Sequence, residues 1–222
     1  MDLVTPIIAI DAEFQIVHDR SENTNRQRIG RFSAVNYDGE VIYDVFAYRA
    51  EDPNEFTFLP PPDKKLGVYK ADLEPANGAR PFAEVEANIK AIIEAAEKVV
   101  GHSIQNDIKA CSPGLWDNIL LPRDTQLYEP YRVYGRGEQR LPKLSVLAEQ
   151  VLGLSIQGVE HSSVEDARVT MLLYRKEEAG IEEATKEAGY WAYMKIKREA
   201  LALLLRELFR EPRDSNFGGI FG

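Results

Sequence analysis

The sequence predicts an α/β domain: a mixed sheet that opens as an antiparallel meander, continues into parallel strands, is flanked by helices and is followed by a C-terminal helical extension. Three observations carry this. The run Ile7-Ile8-Ala9-Ile10-Asp11-Ala12-Glu13-Phe14 starts as continuous apolar sequence with β-branched residues, the pattern of a buried central strand. Two strand-like runs, residues 30–37 and 40–48, flank Asp38-Gly39, a strong hairpin signal because both residues tolerate positive φ. Phe82, Val85, Ile89, Ile92, Ile93 and Ala96 then recur at helical spacing through Lys98 and lead into Val99-Val100-Gly101, a helix packed on the sheet followed by another strand.

Taken in order, the first strand is followed by a polar segment, His18 to Arg28, that reads as a loop beside the strand end. After the hairpin, residues 51–81 are rich in prolines and charges, including Pro60-Pro61-Pro62, and read as a long surface excursion with one helical turn around Lys70 to Leu73. Beyond Gly101 the chain passes through His102 and Ser103 into a helix that begins near Gln105 and stops before Pro113. A short strand is expected within residues 119–125. The loop after it carries Tyr128, Tyr131, Arg132, Tyr134, Arg136 and Arg140. Two readings stay open for it: tyrosines folded onto the core, or a nucleic-acid contact in which rings stack and guanidiniums meet phosphates.

Leu144, Leu147 and Val151 mark a helix from Lys143 that ends at Gly153, a natural helix-stop glycine. Ser162 with Glu165 three residues later forms a capping-box signature, so a helix starts there and runs to about Glu178. The last segment, residues 181–210, is helical by pattern, with Leu201, Leu204, Leu205 and Leu208 on one stripe. That stripe either packs on its own domain or receives a protein partner. The domain expectation is therefore 1–178 for the main fold, 179–210 for the helical extension and 211–222 for a frayed tail.

At 222 residues, 44% hydrophobic and 28% charged, the chain has the composition of one globular domain with an appendage. No apolar stretch matches a membrane span and the start lacks a signal-peptide pattern, so no membrane role and an intracellular address are expected. The lone cysteine, Cys111, excludes an internal disulfide and a Cys-rich zinc site. A net charge of −9 argues against gripping nucleic acid over the whole surface, though not against a local basic rim.

Part of that negative charge is placed where chemistry can use it. Asp11 and Glu13 are two positions apart on a strand, so both side chains point to one side of the sheet. Two carboxylates held there repel each other unless a hard cation joins them, and oxygen ligands suit a divalent metal. Asp107 falls at a strand-to-helix junction, and His161 and Asp166 flank the start of a late helix.

D-x-E on the first strand, Gly101-His102 followed by Asp107, and His161 followed by Asp166 resemble, in order and setting, the three motifs of the DEDDh exonuclease family, whose core is RNase H-like. Residues 143–147 and His161-Ser162-Ser163-Val164-Glu165-Asp166-Ala167-Arg168 look most like the subgroup containing RNA exonuclease 4 and the interferon-stimulated 20 kDa exonuclease. The likeness covers roughly residues 7–174.

The resemblance implies a 3′-to-5′ exonuclease that releases nucleoside 5′-monophosphates from the 3′ end of single-stranded RNA, with DNA less favoured. It implies two divalent ions, Mg²⁺ or Mn²⁺, held by Asp11, Glu13, Asp107 and Asp166, with His161 as general base. It also implies a terminal-nucleotide pocket involving Ala12, Phe14, Gly67, His102 and Asn106, and it leans toward a nuclear address. Ala12 and Phe14 replace the Cys and Met common in that subgroup, and Leu66-Gly67-Val68-Tyr69 replaces its S-G-[I/V]-T, so base and sugar preference do not carry over. Two alternatives belong to other classes: a subunit of an RNA-processing assembly that acts by docking, and an enzyme that clears very short oligonucleotides.

Overall fold

The computed structural model describes residues 7–49, 55–58, 67–112, 115–116, 121–137, 141–156 and 162–189. Among the described residues seven strands form one sheet: β1 (Ile7–Asp19), β2 (Thr24–Asn36), β3 (Val41–Tyr48), β4 (Glu55–Phe58), β5 (Arg80–Pro81), β6 (Lys98–Gly101) and β7 (Arg123–Asp124). Their order is β5-β3-β2-β1-β6-β7, with β4 beside the far end of β1. β1, β2 and β3 are antiparallel, and β6 and β7 run parallel to β1. The fold is thus a mixed RNase H-like sheet flanked by helices.

The helices are α1 (Phe82–Ala95), α2 (Gln105–Ala110), α3 (Glu129–Arg132), α4 (Leu144–Leu147) and α5 (Ser163–Lys176). α4 widens into a π turn over Ala148–Leu152 and ends at Gly153, whose φ of 71° is the left-handed cap expected of that glycine. Strand alternation sorts β1 onto two layers. Ile8, Ile10 and Ala12 meet Val85, Ile89 and Ile93 of α1 on one face, while Ala9 meets Ala167, Met171 and Tyr174 of α5 on the other. Burial on both faces explains the continuous apolar run.

The hairpin between β2 and β3 forms at Asp38-Gly39 as expected. Asn36 Oδ1 accepts the Asp38 and Glu40 N–H groups at 3.0 and 2.9 Å, and Gly39 alone in the turn takes a positive φ, 83°. The turn over Lys70–Leu73 is a 3₁₀ helix.

Three expectations need correction. Residues 18–28 are not a loop: β1 and β2 continue in register to the pair Asp19 and Thr24. Asp19 closes the tight turn by accepting the Ser21 N–H and hydroxyl at 2.9 and 2.6 Å, and β4 pairs with the other edge of β1 there. A polar composition therefore masks a ribbon held by backbone pairing. The helix expected through Lys98 stops at Ala95, because Lys98 pairs with Ile7 and the sheet requires extended chain there. Ser162 does occupy the N-cap of α5, yet its side chain makes no capping bond.

By its contacts the chain divides after Ala184, with Met1–Ala184 as one compact unit and Thr185–Gly222 as another. The first unit reaches past residue 178 because Ile181 is buried beside Met171 and Tyr174. Glu182 adds a bidentate pair to Arg123 at 2.9 and 2.8 Å and accepts the Tyr174 hydroxyl at 2.9 Å. The leucine stripe at residues 201–208 and the tail at 211–222 lie outside the described residues. No helix among the described residues is long and apolar enough to cross a membrane.

Candidate metal centre

β1 has β2 along one edge for its full length, but its other edge changes partner. β6 pairs with Ile7 to Ala9 and β4 with Ile16 to Asp19. Among the described residues no strand covers that edge from Ile10 to Gln15, and Asp11 and Glu13 lie in this gap. The exposed backbone must be satisfied by something other than a ladder. α2 packs beside it, and the Ala12 N–H favours the charged form of the Asp107 carboxylate. Asp107 is thereby placed beside the strand position between the two acids.

A bulge sharpens the geometry. Glu13 pairs with Arg31 and Phe14 with Ile29, leaving Gly30 as the extra residue of β2. Bulges re-aim the neighbouring side chains. A Cβ on Gly30 would sit 3.1 Å from the Val68 side chain, so this glycine admits Val68. The preceding Gly67, at φ 69°, lies directly on the Glu13 side chain: an added Cβ would fall 2.8 Å from its Cγ and closer still to its carboxyl carbon.

On the face to which Asp11 and Glu13 point, the first turn of α5 brings Asp166. One carboxylate oxygen each from Asp11, Glu13 and Asp166 lie within 4.8 Å of one another. Glu13, Asp107 and Asp166 are buried at 8%, 4% and 5% exposure, and Asp11 is partly open. Glu13 Oε1 and Asp107 Oδ1 are buried with no hydrogen-bond partner among the described residues. Orphaned buried oxygens are costly in a native protein, and a divalent cation is the ligand that carboxylates so arranged fit.

The electrostatics of the carboxylates agree. Burial, then the charge of Asp166, raises the Glu13 carboxyl to about 8, against a smaller pull from Arg31. Burial likewise raises Asp107 to about 8, although backbone N–H groups, including that of Ala12, oppose it. Asp11 is raised well above the usual carboxylate range by desolvation and then by Asp107, Asp166 and Glu13. Such a cluster shares protons when no cation is present.

The remaining expected site residues are placed as follows. Ala12 turns its side chain into the core, and Phe14 packs partly buried against the same cluster. His102 Nε2 donates to the Pro142 carbonyl at 3.1 Å and Nδ1 faces the Thr125 hydroxyl at 3.0 Å. A carbonyl only accepts, so the neutral ring carries its proton on Nε2. Burial keeps this ring neutral by lowering its pKa to about 4. Asn106 donates to Ser103 Oγ at 3.0 Å at the exposed start of α2. His161 lies outside the described residues.

In the aromatic loop, Tyr131 is buried and donates to the Leu173 carbonyl at 2.9 Å, with Tyr128 edge-on against it. Tyr134 is 39% exposed. Arg132 pairs with Glu129, and Arg140 lies outside the described residues.

Three supporting groups were missed in the sequence. Asp124 accepts the Ser103 and Ile104 N–H groups at 2.9 and 3.2 Å, holding the turn that launches α2 while Ser103 adopts φ 60°. Arg31 and Ser33 sit opposite Glu13 and Asp11. Their spacing, two positions apart like the acids they face, was the available signal.

No protein-family model matches the chain. It is 36% identical to RNA exonuclease 4 of Mycosarcoma maydis over 173 residues, which is 77% of this chain and 42% of that protein. It is 35% identical to RNA exonuclease 4 of Saccharomyces cerevisiae over 176 residues, covering 79% and 55%. The chain thus spans about half the length of the curated relatives it matches.

Among solved structures, the pseudoubiquitin hydrolase-RNA exonuclease module of Saccharomyces cerevisiae Pan2 in complex with AACCAA RNA matches with a TM-score of 0.61 and 22% identity over 88% of this chain and 32% of that one. The Neurospora crassa Pan2 catalytic unit, a protease and nuclease domain, matches with a TM-score of 0.59 and 22% identity, covering 86% and 30%. Relatives in sequence and neighbours in fold agree with the description that the carboxylates suggest: the chain is RNase H-like in fold and similar in sequence to the RNA exonuclease 4 proteins.

Proposed function

We propose that this protein is a DEDDh exonuclease that removes nucleoside 5′-monophosphates from the 3′ end of single-stranded RNA. The observation that carries the reading is the convergence of Asp11, Glu13 and Asp166 oxygens within 4.8 Å, with the buried Asp107 carboxylate close enough for its charge to act on Asp11. The naming of the sequence relatives and the RNA bound in the Pan2 structures support it.

Asp11, Glu13, Asp107 and Asp166 would hold two divalent ions, Mg²⁺ or Mn²⁺. Bound there, the ions supply charge neutralisation at the scissile phosphate and a lowered pKa for the attacking water. The chain does the rest. Gly67, by lacking a side chain, lets the 67–68 turn fix the Glu13 rotamer. The Ala12 N–H favours the charged form of Asp107. His161 accepts the proton of the attacking water as the new P–O bond forms and the bond to the 3′ oxygen of the preceding nucleotide breaks. An imidazole with an ordinary pKa of about 6.5 suits that transfer near neutrality.

The test is hydrolysis of matched RNA and DNA oligomers, labelled at either end, with Mg²⁺, Mn²⁺ or EDTA. Stepwise shortening from the 3′ end with release of 5′-monophosphates is expected, abolished by EDTA. Cleavage that persists in EDTA, or that leaves 3′-phosphates, would overturn the reading. In the same assay His161→Ala is expected to slow hydrolysis by at least ~100-fold. Gly67→Ala forces a Cβ onto Glu13 at a left-handed φ; it should cut the rate by about 100-fold, the scale of a 1 Å misplacement, and lower stability by about 1–2 kcal/mol. A Gly67→Ala enzyme with unchanged rate would show that Glu13 needs no such support.

A further inference from the structure

A single-file chain of polar groups runs from β3 through β2 to the start of α5, behind the carboxylates. Register sets Arg31 opposite Glu13 and Ser33 opposite Asp11, and on the next strand Phe46 opposite Arg31 and Asp44 opposite Ser33. Opposed residues point to the same face, so this row lies on the face that α5 covers. Arg31 Nε and Nη2 donate to Asp44 Oδ1 and Oδ2 at 2.8 and 2.9 Å, with the guanidinium 5.0 Å above the Phe46 ring centroid. Asp44 Oδ1 also accepts the Ser33 hydroxyl at 2.8 Å, and Ser33 Oγ lies 2.6 Å from Ser163 Oγ.

The direction of these bonds is decided by hydrogen count. A carboxylate only accepts, so the one hydroxyl hydrogen of Ser33 is committed to Asp44, and Ser163 must donate to Ser33. Every bond therefore points toward Asp44. Ser33 and Ser163 are fully buried, so water does not stand in for either partner. Ser163 opens α5, and Asp166 follows three residues later on the same side of the helix.

The bridge ties α5, which contributes Asp166, to β2, whose ladder carries β1 with Asp11 and Glu13; charge repulsion among these acids pushes α5 and β1 apart. We propose that Ser163, Ser33, Asp44 and Arg31 are positioning residues that hold the first turn of α5 against the β1–β2 pair, so that the cation cage is assembled before a cation arrives. The inference rests on the metal-dependent reading above and adds the device that preorganises its ligands. None of the four residues need touch substrate.

The experiment uses the full chain, with Mn²⁺ binding followed by calorimetry and hydrolysis followed across a Mn²⁺ series. Ser163→Ala and, at the partly exposed end of the chain, Asp44→Asn are each expected to weaken Mn²⁺ binding about tenfold, as loss of a supporting partner does in other metal sites. The Mn²⁺ concentration for half-maximal hydrolysis rises by the same factor, and saturating Mn²⁺ returns the rate to within about twofold of wild type. Because the groups act in series, the double variant is expected to bind no more than about twofold worse than the poorer single one.

Unchanged Mn²⁺ affinity in soluble variants, with only a lower metal-free melting temperature, would overturn the proposal and leave the chain a fold-stabilising feature. Should Ser163→Ala fail to fold, Asp44→Asn decides alone. A wild-type protein that binds no Mn²⁺ defeats the site reading itself, whereas wild-type binding matched by both variants defeats only the positioning role.

Discussion

Asp11→Asn is expected to lower exonucleolytic turnover by about 1,000-fold or more while leaving the metal-free protein at least as stable as wild type. Asparagine keeps the shape of aspartate but cannot carry its charge, so it is a poor ligand for a hard cation. In the absence of metal the same substitution relieves strain. Asp11 is raised well above the usual carboxylate range by desolvation and by the charges of Asp107, Asp166 and Glu13, and a neutral amide pays neither cost. Asp166→Asn should lose activity similarly, because one of its oxygens lies within 4.8 Å of those of Asp11 and Glu13. Single-turnover hydrolysis of a 3′-labelled RNA, paired with thermal melting in EDTA, checks both halves. Retention of more than a tenth of the activity in either variant would remove these carboxylates from the chemistry.

The second large effect is a pH dependence that changes with metal. Glu13 and Asp107 have folded-state pKa values of about 8 against ordinary values of 4.5 and 3.8. Between those limits the native state holds protons that the unfolded chain has released. Their stabilising contribution is therefore complete below about pH 4 and is lost as pH rises through about 8, each group tilting stability by up to about 1.4 kcal/mol per pH unit. His102 acts the other way: its folded pKa of about 4 lies below the ordinary 6.5, so it adds stability as pH rises between those values. Glu182, lowered to about 2 chiefly by Arg123, loses its contribution only as pH falls from about 4.5 through 2. The window from pH 6.5 to 8 thus isolates the acids.

Without metal, melting temperature should fall across that window. With Mn²⁺ at a hundred times its dissociation constant, stability should rise by about 2.7 kcal/mol, or about 5–10 °C for a unit of this size. At one fixed Mn²⁺ concentration the gain should be larger at pH 8 than at 6.5, because at the lower pH binding must displace the shared protons. Melting curves in EDTA and in MnCl₂ at the two pH values measure this. Flat metal-free stability together with a pH-independent Mn²⁺ shift would mean that the carboxylates are not coupled as described.

Particular residues show why part of the fold was legible and part was not. The apolar run at residues 7–10, the Asp38-Gly39 turn and the Gly153 stop act through local preference, and each appears where its chemistry puts it. Residues 18–28 do not signal their state, because the polar ribbon is held by backbone pairing within its own hairpin, which side-chain composition does not report, and by pairing to β4, which lies beyond any local window. Ser162 carried the capping signature, but it was the neighbouring Ser163 whose hydroxyl found a long-range partner in Ser33.

The order and type of the acidic residues, and with them the kind of chemistry, were determined by the sequence alone, because side-chain identity and strand alternation are local properties. Whether those acids meet was decided only by tertiary structure. The change of partner along one edge of β1 leaves room for α2 and Asp107, the Gly30 bulge and the Gly67 turn set Glu13, and α5 delivers Asp166 onto the face to which Asp11 and Glu13 point. Bringing like charges together costs free energy, and packing of the whole domain supplies what no short stretch of chain could.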